Sequence, residues 1–264
     1  MRIRLFHVDA FTNQTGRGNP AAVCLLDSWL DDEALRKVAA ENNLSATAFV
    51  AEAGNHLDLR WFTPRCEIRL CGHATLAAAF VSFTALHPGL SLVQFSTRFS
   101  GVLTVQKDGD LLAMDFPAFT PRVVGNVPDG ISRALGLESQ PLDVLAANDS
   151  YLVVLDSEAA VWRLRPDFAL LEQLHPYAVS VTAPADKADF VSRYFAPSYG
   201  VPEDPVTGSA HCILTPYWAK RLGKLHLHAR QLSERGGELW CEVTGERVIV
   251  KGAAVLTMQG TVTI

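Results

Sequence analysis

The chain has 264 residues, 48% of them hydrophobic, which is enough to bury one large core or two of ordinary size. The formal net charge is −5 with acidic and basic residues well mixed, so the basic stripe of a nucleic-acid-binding protein is missing. The longest apolar stretch, near residues 74–86, is too short to span a bilayer. Five cysteines without framework spacing and no signal-peptide pattern favour a reducing compartment. We therefore expect a soluble, cytoplasmic protein that binds neither nucleic acid nor membranes.

The first part of the chain predicts strands around one apolar helix. Strands are expected over residues 2–9, 21–26, 47–51, 57–62, 92–96, 101–105 and 111–116. A surface helix is expected from Asp31 to about Glu41, because acidic residues in its first turn suit the helix dipole. A second helix, rich in alanine and apolar throughout, is expected to begin at Gly72-His73.

A segment rich in proline and glycine, from Phe116 to Gly130, is the best boundary, and we place half-domains at residues 1–117 and 118–264. Helices are expected beyond it over 131–135, 167–174 and 209–221, and strands over 151–155, 177–182, 190–195, 225–232, 238–243, 247–251 and 254–264. The predicted class is α+β with mainly antiparallel or mixed sheet. No G-x-G-x-x-G or P-loop pattern supports a nucleotide-binding domain.

An internal repeat relates the two halves. The pattern Arg-aromatic-Phe-x-Pro, a gap and Gly-polar-Ala before an apolar helix occurs at residues 60–64 with 72–74, and again at 193–197 with 208–210. A helix start leaves backbone N–H groups unpaired and carries partial positive charge, so it can bind a carboxylate. Two equivalent helix starts predict two half-domains that share an anion-binding cleft if the starts face each other.

Seven motifs run through the chain in order. They are Gly18-Asn19-Pro20-Ala21-Ala22-Val23, Asn43-Leu44-Ser45, Phe62-Thr63-Pro64, Leu70-Cys71-Gly72-His73-Ala74-Thr75, Phe195-Ala196-Pro197, Glu203-Asp204-Pro205-Val206-Thr207-Gly208-Ser209-Ala210 and Arg235-Gly236-Gly237. Together they resemble the PhzF family, which contains the phenazine-biosynthesis isomerase and its relatives. The resemblance implies a diaminopimelate-epimerase-like fold, with two similar halves that each wrap sheet around a central helix and a cleft between them. It also implies a homodimer with no cofactor and no metal.

The resemblance further implies that a glutamate moves a proton on the substrate, assisted by a histidine that matches His73 and an aspartate that matches Asp204. The family's glutamate lies in a motif usually read Asn-x-Ser-Glu-Thr, and here Ala46 stands in its place. Three explanations remain open: loss of the chemistry with a retained binding cleft, use of another base such as His73 or Asp204, or an introduced Glu-to-Ala change. Glu41 and Glu67 are weaker candidates for a replacement acid.

The expected function is isomerisation by proton transfer on a small cyclic or amino-acid-like carboxylic acid, as in a biosynthetic process. The candidate substrate-binding residues are Asn19, Ser45, Gly72, Gly208 and Ser209. The alternative is a catalytically silent homologue that only binds small molecules.

Two further readings of the residues are disfavoured. A two-base, cofactor-independent epimerase would need a second cysteine opposite Cys71, but Thr207 holds the matching position, and Cys212 lies one helical turn later. His226 and His228 share one face of a strand, but two histidines without a third ligand make a poor zinc site.

Overall fold

The computed structural model of the protein describes residues 1–54, 56–125, 130–148, 150–174 and 176–264. Two compact units are present: the first comprises Met1–Asp115 with Lys251–Ile264, and the second comprises Phe116–Val250. Part of the predicted boundary segment, residues 126–129, lies outside the described residues. Across the described ranges, no helix is both long and apolar enough to cross a membrane.

Strands outnumber helices in both units. Among the described residues they are β1 (Arg2–Ala10), β2 (Asn19–Leu26), β3 (Ala46–Ala53), β4 (His56–Phe62), β5 (Glu67–Ile68), β6 (Leu92–Thr97), β7 (Gly101–Asp108), β8 (Leu111–Pro117), β9 (Arg122–Val123), β10 (Asp143–Ala147), β11 (Ser150–Val154), β12 (Ala178–Pro184), β13 (Phe190–Ala196), β14 (Val201–Asp204), β15 (His226–Gln231), β16 (Gly237–Thr244), β17 (Arg247–Gly252) and β18 (Ala254–Thr263). The helices are α1 (Asp32–Asn42), α2 (Gly72–Val81), α3 (Ile131–Ala134), α4 (Glu158–Arg163), α5 (Phe168–Glu172) and α6 (Gly208–Leu222). A π-helical turn, Ser82–Leu86, continues α2, and a 3₁₀ turn, Pro197–Tyr199, follows β13.

The two units have the same strand order. In the first, β18, β1, β2, β3, β4, β6 and β7 follow one another, with β2–β3 and β4–β6 parallel and the other pairs antiparallel. In the second, β9, β10, β11, β12, β13, β15 and β16 follow one another, with β11–β12 and β13–β15 parallel. The short strands β5 and β14 pair with β4 and β13 in the same way. The internal repeat in the sequence therefore corresponds to a repeated topology.

Each unit is built around one apolar helix. Nine of the ten residues of α2 are buried, and the helix packs against β1, β2, β3 and β18. Its alanines leave room for strands to approach closely. In the second unit α6 packs against β15 and β16, and nine of its 15 residues are buried. The predicted fold class, mixed sheet wrapped around a central helix in each half, is confirmed.

The predicted half-domain of residues 118–264 differs from the structure at its C-terminal end. The last strand, β18, pairs antiparallel with β1, from Arg2 opposite Thr263 to Ala10 opposite Ala254, and so belongs to the first unit. Such a pairing joins the two ends of the chain, so no local pattern in the sequence predicts it.

The structure also differs from prediction between residues 140 and 175. The helix predicted over 167–174 is shorter, Phe168–Glu172, and both β10 and α4 were not predicted. The start of α4 does carry a local signal, since the Ser157 hydroxyl accepts a hydrogen bond from the Ala160 N–H at 3.3 Å. The helix is only six residues long, which is why its periodicity is weak.

Both units contain the same arginine–glutamate ion pair. In the first, Arg60 on β4 donates from Nε and Nη2 to the two carboxylate oxygens of Glu67 on β5, at 2.7 and 2.8 Å. In the second, Arg193 on β13 binds Glu203 on β14 at the same two distances, 2.7 and 2.8 Å. The central helix begins four residues after the short strand in each case. The arginine of the repeated motif therefore anchors the segment that leads into each central helix.

These contacts bear on Glu67 as a replacement acid. Its carboxylate also accepts a hydrogen bond from Arg98 Nη1 at 3.0 Å. Two guanidinium groups therefore hold both oxygens, which suits a structural ion pair rather than a proton carrier. Glu41, the other candidate, is exposed near the end of α1.

Changing Glu203 to glutamine is expected to lower the free energy of unfolding by about 1–3 kcal/mol, because Arg193 would keep a largely desolvated charge without a charged partner. The side chains of Arg193 and Glu203 are only 13% and 20% exposed. Urea denaturation measures the effect, and Glu238→Gln, on a half-exposed side chain of β16, is the matched control. Equal losses in the two variants would contradict the role given to the ion pair.

Candidate active site

The first group of candidate residues surrounds the start of α2, and we call it the first half-site: Asn19, Ser45, Ala46, Cys71, Gly72 and His73. Cys71 is the N-cap residue of α2, and its side chain makes no capping hydrogen bond. The first backbone N–H groups of a helix have no partner within the helix, so this end remains available to an anion. His73 lies in the first turn and is 7% exposed.

A hydrogen-bonded chain fixes the imidazole of His73. Its Nε2 lies 3.2 Å from Ser45 Oγ, and Ser45 Oγ donates to Asn19 Oδ1 at 3.2 Å. Because Ser45 has one hydroxyl proton and Asn19 Oδ1 only accepts, the chain is satisfied when His73 carries its proton on Nε2. Nδ1 is then an acceptor that faces Cys71 Sγ at 3.4 Å. Three predicted residues are thus brought together with a cysteine.

Burial lowers the pKa of His73 to about 4, so the imidazole is neutral at pH 7. Desolvation is the physical cause of this shift, and the partial positive charge at a helix start disfavours a charged imidazole in the same direction. A neutral imidazole in this position can accept or relay a proton, but it does not carry a fixed positive charge for a carboxylate. Backbone N–H groups at the start of a helix, by contrast, can bind an anion.

Ala46 opens β3 and is fully buried. Thr47 accepts a hydrogen bond from Asn42 at the end of α1, and Phe49 packs in the cluster that contains the buried residues of α1. Because successive strand residues point to opposite faces, Ala46 faces away from α1, on the face where α2 packs against β3. A glutamate at position 46 would therefore lie on the same face of the sheet as the helix of His73.

The second half-site surrounds the start of α6: Asp204, Thr207, Gly208, Ser209, His211 and Gln231. Asp204 ends β14, and its Oδ2 accepts a hydrogen bond from Thr207 Oγ1 at 2.5 Å. Gln231 on β15 donates to the Asp204 carbonyl at 2.8 Å and accepts from the Thr207 N–H at 2.9 Å. The Gln231 side chain therefore hydrogen-bonds to both ends of the turn that carries Asp204.

The starts of α2 and α6 match in detail. Thr207, like Cys71, is an N-cap residue whose side chain makes no capping bond. Thr75 Oγ1 donates to the Cys71 carbonyl at 2.6 Å, and in α6 His211 Nδ1 lies 2.8 Å from the Thr207 carbonyl. Gly208 is buried and Ser209 is exposed in the first turn. The two half-sites are therefore variants of one local structure.

Two residues of the second half-site were not predicted. His211 is fully buried, and burial lowers its pKa to about 4. The internal repeat could have indicated His211, since it follows Gly208 by three residues as Thr75 follows Gly72. Gln231 lies 24 residues from Thr207 along the chain, and its role depends on the pairing of β13 with β15. No local motif could have indicated it.

The structure places the residues on which the two disfavoured interpretations depend, a zinc site on β15 and a two-base epimerase. On β15, His226 lies opposite Glu242 at 3.6 Å, whereas His228 lies opposite Trp240 and 3.7 Å from Glu238. Within the described ranges, no group of three or more His, Cys, Asp or Glu side chains could hold a metal ion. Burial raises the pKa of the Cys212 thiol to about 12, so it is not a ready base.

The repeated topology, with a helix start at the centre of each unit, defines the diaminopimelate-epimerase-like class of α+β proteins. A predicted epimerase of Pseudomonas aeruginosa shares this fold, with a TM-score of 0.74 at 21% identity over 99% of both chains. A PhzF-family structure from Enterococcus faecalis matches with a TM-score of 0.95 and 42% identity over 100% of both chains. Among curated proteins, an uncharacterized isomerase of Pseudomonas aeruginosa is 52% identical over 261 residues, 99% of each chain.

The family described as phenazine biosynthesis-like protein, PhzC-PhzF, matches residues 8–260. The chain therefore belongs to the PhzF family of isomerases and their relatives. This confirms the family that the sequence motifs predicted, over nearly its whole length.

Proposed function

We propose that this chain is a PhzF-like isomerase that moves a proton on a small, carboxylate-bearing substrate of cyclic or amino-acid-like type. The observation that carries the proposal is the buried, neutral imidazole of His73, which lies next to Ser45 at the N-terminal end of a central helix. The proposal requires one substrate to meet both half-sites, so that His73 and Asp204 act on the same molecule. It also includes a cytoplasmic homodimer that works without cofactor or metal.

Each group has a defined role in this proposal. The N–H groups at Gly72 and Gly208, with the Ser209 hydroxyl, bind the substrate carboxylate. Asp204, oriented by Thr207, accepts a hydrogen bond from a substrate amine or hydroxyl. His73 accepts the substrate proton at Nδ1 and returns it from there to the product, while its Nε2–H donates to Ser45, which Asn19 fixes.

Ala46 favours the second candidate, a silent small-molecule-binding homologue. An alanine side chain neither donates nor accepts a proton, and the residues around it supply His73 but no carboxylate in the hydrogen-bonded chain described above. In this alternative the half-sites bind the same class of ligand without turnover. The two-base epimerase ranks third, because Thr207, at the position of the repeat that matches Cys71, offers only a weakly acidic hydroxyl.

Carboxylates are expected to raise the thermal unfolding temperature. For a ligand at about 100 times its Kd the gain is roughly 2.7 kcal/mol, which corresponds to a shift of about 5–10 °C in a protein of this size. A thermal-shift panel of aromatic and amino-acid carboxylates, each paired with its carboxamide, measures the effect. If the acids and their amides gave equal shifts, the anion site at the helix starts would be wrong.

The isomerase itself is tested by solvent-deuterium incorporation into acids that bind in that panel. Incorporation that is lost in both His73→Gln and Asp204→Asn supports one catalytic site formed by both half-sites. Tight binding with no incorporation in the unaltered chain favours the silent homologue. Incorporation that Cys71→Ser alone abolishes would revive the two-base epimerase.

A further inference from the structure

A buried row of polar side chains crosses the sheet of the second unit. Thr182, Ser192 and Gln231 stand opposite one another on the adjacent strands β12, β13 and β15. Directly paired residues place their side chains on the same face of a sheet. Trp218 of α6 donates from Nε1 to Thr182 Oγ1 at 2.9 Å, so this face covers the central helix. All three polar residues are at most 1% exposed.

Two further residues extend the row, and we call the five together the polar layer: Ser180, Thr182, Ser192, Gln231 and His211. Ser180 lies two residues before Thr182 on β12 and therefore shares its face. His211 lies on α6, with its ring centroid 5.8 Å from that of Phe190, the residue two before Ser192 on the same face of β13. The polar layer thus lies between α6 and the sheet.

Three atoms of the polar layer are buried without a hydrogen-bonding partner in the protein: Ser180 Oγ, Ser192 Oγ and His211 Nε2. Since the Thr207 carbonyl can only accept, His211 carries its proton on Nδ1, and Nε2 presents a bare lone pair. Buried polar atoms without partners are costly and uncommon. Two donors and one lone pair in a single layer form a set that a small hydrogen-bonding molecule can satisfy.

We propose that the polar layer binds buried water: one molecule bonds to the hydroxyls of Ser180 and Ser192, and a water in the same layer donates to His211 Nε2. Because Thr182 faces Ser192 and Ser180 faces Tyr194, the two serines are diagonal neighbours. Diagonal neighbours have Cα atoms roughly 7–8 Å apart and side chains somewhat closer, which is a span that one bridging water covers. Water both donates and accepts, as this mixed set of atoms requires.

The position of the polar layer links this water to the second half-site. Gln231, in the same row as Ser192, holds the turn of Thr207 and Asp204 through three hydrogen bonds. The Thr207 carbonyl in turn binds His211. The water therefore completes the hydrogen bonding behind this turn, whether or not the chain proves to be an isomerase.

The unfolding temperature of a serine-to-alanine variant distinguishes a hydrated polar layer from a dry one, because the two cases predict changes of opposite sign. If water is bound, Ser192→Ala removes one of its partners, and the unfolding temperature is expected to fall by about 2–4 °C. If the layer is dry, the same change removes an unsatisfied hydroxyl, and the unfolding temperature rises. Ser180→Ala is expected to behave in the same direction as Ser192→Ala.

Magnetic resonance supplies an independent measurement on the unaltered protein. With ¹³C-labelled histidine, of which the chain has eight, the ring signals of His211 are identified by their loss in His211→Gln. Cross-relaxation with long-lived water at those signals supports the proposal. Its absence, together with a higher unfolding temperature in both serine variants, would overturn it.

Discussion

Replacing Ala46 with glutamate is expected to raise solvent-deuterium incorporation into a dihydro-hydroxyanthranilate-type substrate by about 100- to 10,000-fold, the usual contribution of a general acid or base. Position 46 opens β3, directly after the serine that bonds to His73. The new carboxyl would lie on the face of the sheet where α2 packs, so it would enter the first half-site rather than the cluster around α1. Incorporation followed by NMR or mass spectrometry measures the rate.

The matched control is Ala46→Gln, which adds the same length and hydrogen bonding without a group that exchanges protons. A gain in the glutamate variant alone means that the half-sites are intact and that this chain lacks its proton carrier. Equal rates in all three proteins would show that position 46 is not the missing base and would move that role to His73 or Asp204. If none of the three proteins incorporates deuterium, the result would point to a different ligand.

Acid is expected to destabilise the protein well before its carboxylates titrate, because two buried histidines must gain protons on unfolding. The folded-state pKa of both His73 and His211 is lowered to about 4 by burial, whereas an unfolded histidine has a pKa of about 6.5. Between these values the unfolded chain binds more protons, so stability falls as the pH falls. The full stability is present above about pH 6.5, and the loss by pH 4 is about 3 kcal/mol for each histidine.

Urea denaturation at pH 7, 5.5 and 4.5 measures this dependence. His73→Gln and His211→Gln should each flatten the curve by a similar amount, and the double variant should flatten it further. His226→Gln, on an exposed side chain of β15, is the control and should leave the slope unchanged. If neither His73→Gln nor His211→Gln changes the slope of the free energy of unfolding against pH, other titratable groups dominate the acid sensitivity.

The repeat explains why one chain carries two half-sites with different chemistry. Both units have the same strand order, the same arginine–glutamate anchor and the same helix start. At matching positions, however, the first has Cys71 and His73, while the second has Thr207 and Ser209. The scaffold is shared, and the chemical difference lies in a few residues at the N-terminal ends of the two central helices.

Local patterns in the sequence were sufficient to predict the elements that build the half-sites. The apolar runs after Gly72 and Gly208 predicted both central helices, because burial on all sides of a helix leaves a continuous apolar stretch. The acidic residues from Asp31 predicted the start of α1, and in the structure Asp31 is its N-cap residue, with a side chain that accepts from the Ala34 N–H. The motifs around His73 and Asp204 were also sufficient to identify the family.

Only the tertiary structure decided the features that join distant parts of the chain. The pairing of β18 with β1, the binding of Thr207 by Gln231, and the pairing of Arg193 with Glu203 all depend on contacts that no local pattern encodes. The same holds for the burial that keeps His73 neutral and for the polar layer behind α6. A sequence pattern records which residues recur at the spacing of one strand or one helix. The partner of a side chain across the fold, and the water it loses there, are set by packing alone.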